Sequence, residues 1–157
     1  NKMKTLSIIF LSSLLIIVAI LLSIAASSPV TAPTISGNQS TVTINQTTFK
    51  VDIADETREQ RIGLSGRDNL ASDQGMLFLF SDKQTRSFWM PNMNFAIDLL
   101  WIDDNTIVGY EQNMLPATPD NIITYQSPQP VDKVLEIPAG SIENYNFNIN
   151  DIINIDL

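Results

Sequence analysis

Seven short runs of apolar and β-branched residues, each closed by turn-forming residues, constrain this chain most. They are Thr41 to Ile53, Met76 to Phe80, Ser87 to Met90, Ile97 to Ile102, Thr106 to Glu111, Val131 to Ile137 and Ile149 to Ile155. Lengths of this order suit strands, and the alternation inside them has the period of a pleated strand. In TVTINQTTFKVDI, Val42 and Ile44, then Phe49, Val51 and Ile53, mark the inward faces of one or two strands. Met76 to Phe80 is continuously apolar and reads as a strand buried on both faces. Pro91-Asn92-Met93-Asn94 is rich in turn formers, and Asp103-Asp104-Asn105 reads as a hairpin turn. Helical signals are few. Asp55 can cap a helix over Glu56 to Ile62, with acids early, Arg61 late and Gly63 as its stop. Pro138-Ala139-Gly140 opens a second short helix to about Tyr145. The sum is eight or so short strands with one or two helices. That predicts a mostly β or α+β domain: a compact, barrel-like, mainly antiparallel sheet.

The amino-terminal block differs from the rest. Lys2 and Lys4 flank a run from Leu6 to Ala26 that holds no charge. A hydrocarbon core is crossed by about 20 apolar helical residues. The length therefore points to a transmembrane anchor. The small residues Ser23-Ile24-Ala25 and Ala25-Ala26-Ser27 instead offer cleavage sites for a secretory signal. Either way Lys2 and Lys4 stay cytoplasmic. The remainder is expected outside the cytoplasm, anchored at the membrane, or secreted or periplasmic after cleavage. The organisation is then an anchor or signal over residues 1–26, a small-residue, proline-containing linker over 27–40 and one β-rich domain over 41–157.

Composition removes several chemistries. The chain has no cysteine and no histidine. Disulfides, thiolate nucleophiles, Ser-His-Asp catalysis and His or Cys metal ligation are excluded. The formal charge is −8. A phosphate backbone is repelled by such a domain, so nucleic acid is not an expected partner. Gly63, Gly66 and Gly75 lack the Lys-Ser/Thr of a phosphate loop and read as turn and cap residues. The Asp103-Asp104-Asn105 set lacks the ligand spacing of a calcium loop. No metal and no cofactor are expected.

Five segments in order carry a resemblance. They are Arg61-Ile62-Gly63-Leu64-Ser65-Gly66-Arg67, Gly75 to Phe80, Ser87-Phe88-Trp89-Met90-Pro91-Asn92, Ile97 to Asp103, and Val134 to Gly140. Together they resemble the domain-of-unknown-function family number 192, over about the last 110 residues. The resemblance implies a β-rich, barrel-like fold and brings no activity with it. The family often has Lys-Asn-Thr after the Trp-Met pair, whereas Pro91-Asn92-Met93 stands here, so a basic contact at position 91 is absent.

A few residues are more than a core requires. Asp98, within FAIDLLWI, must find a partner if it is buried. Arg61, Arg67 and Arg86 are available, and a structural ion pair of Asp98 with Arg61 or Arg67 is expected. Asp98 and Glu136 are the candidate catalytic carboxylates, because glycoside hydrolysis needs two acids roughly 5 to 9.5 Å apart. Trp89 borders the Pro91 turn and is a candidate aromatic platform, with Arg86, Asn92 and Asn94 as orienting polar groups. Trp101 is expected in the core. The stretch Leu115 to Pro130 holds four of the eight prolines and is expected to be irregular and close to the ligand.

Three functional readings follow. The first is a non-enzymatic binding or accessory domain of the cell envelope, with a carbohydrate, peptide or protein ligand. The second is a carbohydrate-active hydrolase using Asp98 and Glu136. The third is a structural domain that binds other envelope proteins.

Overall fold

The computed structural model describes residues 39–157. The expected anchor or signal, and all but the end of the linker, lie outside the described residues. Among the described residues no helix is long and apolar enough to cross a membrane.

Nine strands and two short helices follow in order: β1 (Thr41–Ile44), β2 (Thr47–Ala54), α1 (Thr57–Ile62), β3 (Gln74–Gln84), β4 (Ser87–Phe88), β5 (Ile97–Asp103), β6 (Thr106–Met114), β7 (Tyr125–Gln126), β8 (Val131–Pro138), α2 (Ser141–Tyr145) and β9 (Ile153–Asp156). Seven of the strands form one sheet in the order β6-β5-β8-β3-β2-β1-β9, and β4 pairs with β7 alone. All pairs are antiparallel except β2 with β3. That parallel pair needs a crossover, which α1 and the following turns supply.

The sheet curls into a half-barrel whose two edges meet at one corner. Thr106 bridges to Ile152. Three backbone bonds join the same places: Ile107 N–H to the Asp151 carbonyl, Asn150 N–H to Ile107 and Ile153 N–H to Asn105. The segment read as a strand from Ile149 therefore begins its regular pairing only at Ile153, because residues 150 and 151 are spent closing this corner.

Both faces of the sheet are buried around β3, β5 and β8, whereas β1, most of β2 and β9 are buried on one face only. One core draws on all seven strands, with Val42, Ile44, Phe49, Val51, Leu77, Leu100, Ile102, Ile107, Leu135, Ile137 and Ile153, and is closed by Ile142 and Phe147 around α2. This is the interior of the half-barrel. The other core lies on the reverse face and includes Ala54, Met76, Phe78, Leu99, Trp101 and Val134, covered by Leu64, Met90 and their neighbours. Two-sided burial explains why β5 reads IDLLWID and is buried from Ile97 to Ile102.

The turns follow their local chemistry. Asn45 and Asp104 adopt positive φ in the β1–β2 and β5–β6 hairpins, a conformation that Asn and Asp tolerate. Glu56, rather than Asp55, is the residue before α1, and Glu59 accepts from the backbone N–H of both at 3.3 Å. Gly63 ends α1 at φ 53°. Gly75 is no turn residue. It lies within β3, where a Cβ would come 2.7 Å from the Glu136 carbonyl oxygen.

Candidate functional site

The reverse face of the sheet carries a cavity of about 490 Å³. Its walls are the end of α1 with Gly63 to Ser65, the β3 residues Phe78 and Phe80, and the stretch from Thr85 to Pro91; Glu136 of β8 reaches it from the sheet. Phe80 sits where the β3–β8 ladder breaks between Leu79 and Gln84. The Leu79 carbonyl at this break accepts from Gln60 Nε2 of α1 at 2.7 Å, which ties that wall down.

Aromatic rings form much of the lining. Phe88 lies edge-on to Phe78 at 5.0 Å and to Trp101 at 5.6 Å. Trp101 is fully buried and donates from Nε1 to Glu111 at 3.3 Å. Trp89, by contrast, is 50% exposed on the rim. Burial of Trp101 on the sheet and exposure of Trp89 beside the Pro91 turn follow the sequence reading.

Arg86 lies over the Phe80 ring, with its guanidinium carbon 4.0 Å from the ring centroid. Its Nη2 donates to the Asp82 carbonyl and to Asp82 Oδ1, each at 2.6 Å. Its backbone N–H donates to Ser127 Oγ, and its carbonyl accepts from the Ser127 N–H, both at 2.9 Å. The proline-rich stretch thus braces Arg86 from behind through Ser127 and the β4–β7 pair. It holds the wall and does not line the cavity.

Glu136 is 6% exposed and makes no salt bridge among the described residues. Burial pushes its carboxyl up to about 8, opposed by the charge of Arg67. It is therefore largely in the acid form at neutral pH. Its Oε2 and the Nε of Arg86 are both buried without a hydrogen-bond partner. A Cβ at Gly63 would stand 3.3 Å from the Phe78 ring and 3.9 Å from that Oε2, so the glycine lets α1 end close against both.

Several sequence expectations differ from the structure. Asp98 makes no ion pair with Arg61 or Arg67. It is fully buried, and its two oxygens accept from backbone N–H groups, Asn113 at 2.8 Å and Ile142 at 2.9 Å. Arg67 pairs with Asp52 at 2.7 Å, and Arg61 lies on the cavity wall. The physical reason lies in β6, where Gln112 and Asn113 together oppose Asp98 in a bulge. The bulge takes the Asn113 N–H out of the ladder, and Asp98 receives it.

The carboxylate pair is also absent. Asp98 stands opposite Ile137 and Leu99 opposite Glu136. Side chains alternate along a strand, so Asp98 faces the interior and Glu136 the cavity. Asn92 and Asn94 do not line the cavity. Asn92 has φ 52°, and its carbonyl accepts from Gly66 N–H; Asn94 Nδ2 donates to the Arg67 carbonyl at 2.8 Å. Both build the turn. Of the residues expected around a ligand, Arg86, Trp89 and Glu136 come together. Arg61, Gly63, Phe78 and Phe80 join them. The sequence signal for Glu136 was a lone acid inside the apolar run VLEIPAG.

Asp103, Asp104 and Asp132 cluster closely enough to suggest a cation. Lysines already fill that role. Lys83 bridges Asp103 at 2.6 Å and Asp104 at 2.9 Å, and Lys133 meets Asp132 at 2.8 Å.

Residues 40–155 match the model of the DUF192 family, described as an uncharacterized ACR. The chain belongs to this DUF192 family. Two solved structures share the fold. One is a proposed transcription regulator from Sinorhizobium meliloti 1021, 28% identical, with a TM-score of 0.66, covering 74% of this chain and 91% of its own. The other is a protein of unknown function from Novosphingobium aromaticivorans DSM 12444, 27% identical, with a TM-score of 0.68, covering 82% and 94%. No curated protein matches the chain. The DUF192 match spans the curled sheet short of the last residue of β9 and takes in every residue of the cavity.

Proposed function

We propose that this DUF192 domain is a non-enzymatic binding module held on the extracytoplasmic side of a membrane. Its ligand occupies the cavity beneath Trp89. The observation that carries this reading is the pairing of a half-exposed tryptophan with a buried, unpartnered Glu136 in one concave site. Ligand sites are typically concave, largely apolar and furnished with a few convergent polar groups. Glu136 is the single acid among the cavity residues, which favours recognition over two-carboxylate hydrolysis. The uncharged run Leu6 to Ala26 supports export. The description of the Sinorhizobium relative names transcription regulation; for this chain, direct contact with nucleic acid is disfavoured by the formal charge of −8.

The test is a thermal-shift screen of the purified protein against sugars, peptidoglycan fragments and peptides. A ligand at 100 times its Kd adds about 2.7 kcal/mol. The expected result is a shift that Trp89→Ala abolishes. A shift that survives Trp89→Ala, or none from any compound, overturns the reading.

A further inference from the structure

We propose that the cavity takes an N-acylated aminosugar, its ring against Trp89 and its acetamido carbonyl accepting hydrogen bonds from Arg86 and Glu136. This rests on the binding reading above and names the ligand class of the same site.

Two polar atoms at this site have lost water and found no partner. Nε of Arg86 and Oε2 of Glu136 are buried and unbonded, and both residues line the one cavity. Such groups cost free energy unless something completes them. Arg86 can only donate. Glu136 in its acid form also donates. The site therefore asks for an acceptor, and an amide carbonyl with two lone pairs is a strong neutral one.

Charge narrows the class. The groups facing Glu136 are apolar or cationic. Met76 and Leu99 stand beside it in the sheet, Arg61 shares its cavity, and Arg67 bears on its ionisation. An ammonium ligand would meet Arg61 and Arg86 at the wall. A strongly anionic one would find the Arg86 guanidinium already paired with Asp82, within a chain of net charge −8. A neutral acceptor avoids both penalties.

Shape narrows it further. The half-exposed Trp89 ring offers a flat apolar face at the mouth, and Phe78, Phe88 and Met90 offer an apolar seat for a methyl group. A volume near 490 Å³ suits a compact ring. An extended peptide usually adds to a free strand edge, whereas β4 on this wall is already paired with β7.

The experiment is a titration of the purified protein with N,N′,N″-triacetylchitotriose, followed by tryptophan fluorescence and calorimetry at pH 6 and pH 9. Saturable binding is expected at pH 6 and at least tenfold weaker binding at pH 9, where Glu136 has lost its proton. Glu136→Gln, whose amide still donates, should bind at both pH values with less than a threefold difference. Glu136→Leu should stay folded and lose at least tenfold in affinity. Maltotriose, which lacks the acetamido group, should bind at least tenfold more weakly. Equal binding of maltotriose, affinity that rises toward pH 9, or full binding by Glu136→Leu would overturn the aminosugar assignment and leave a binding module of another class. Binding of N-acetylalanine methylamide without the sugar would do the same in favour of peptides. No response to triacetylchitotriose overturns this inference, and the binding reading falls with it only if the wider screen is flat too.

Discussion

Asp98 and Glu136 lie on adjacent strands one residue out of register, and so they face opposite sides of the same sheet. The two acids that stand out most in the sequence have separate tasks. Asp98 gathers the N–H of Asn113 from a bulge and the N–H of Ile142 from the first turn of α2. It fixes the helix that closes the interior. Glu136 gathers nothing from the protein and borders the cavity.

Asp98→Asn should destabilise the fold by about 2–3 kcal/mol, because an amide NH₂ would be set against a backbone donor. Arg67→Gln should cost less than about 1 kcal/mol, since its bridge to Asp52 is exposed. Urea denaturation of the two variants checks this. Equal losses would return Asp98 to an arginine partner.

Stability should fall as pH rises across the window set by Glu136. Its carboxyl titrates near 4.5 when unfolded and near 8 when folded. The folded state holds the extra proton between these values, so the contribution is full below about 4.5 and lost as pH passes 8. The change is on the order of 2–4 kcal/mol, and Glu136→Gln should remove it. Asp73, Asp82 and Asp104 are held below the usual carboxylate range by Lys50, Arg86 and Lys83. Their contribution runs the other way and is lost in acid. Melting curves from pH 3 to 10 in wild type and variant check both slopes.

The two tryptophans should separate cleanly. Trp101→Ala is expected to cost about 3–5 kcal/mol through the cavity it leaves. Trp89→Ala should cost about 1 kcal/mol or less, because half of the side chain is already in water. Acrylamide should quench Trp89 and spare Trp101. Equal quenching in the two single-tryptophan variants would contradict the burial described here.

Gly75→Ala should destabilise by about 1–3 kcal/mol, since the new methyl meets a backbone carbonyl that cannot move alone. Gly66→Ala meets open space, and only its φ of 77° resists, at a cost of about 1 kcal/mol. Denaturation midpoints should rank them in that order.

Much of this was legible along the chain. The alternation Val42, Ile44, Phe49, Val51 predicted the interior of β1 and β2, and those four are buried. The Asp103-Asp104-Asn105 hairpin and the helix stop at Gly63 follow from turn and cap chemistry. What the sequence hid was long-range register. Nothing local reveals that Asp98 opposes Ile137, or that a bulge at Asn113 will need an acceptor. The partners of Asp98 are backbone groups, and backbone groups leave no mark in composition. Asn92 and Asn94 looked like ligand contacts because the side chains that build a turn are of the same kind as those that bind one.

β8 also acts as a ratchet against misthreading. Leu135 and Ile137 face the interior, while Val134 and Glu136 face the reverse side. A slip of one position against β3 or β5 would drive the Glu136 carboxyl into the interior core and turn Leu135 and Ile137 toward the cavity side. The same acid that leaves the cavity with an unmet hydrogen bond thereby makes every neighbouring alignment of the strand costlier than the native one.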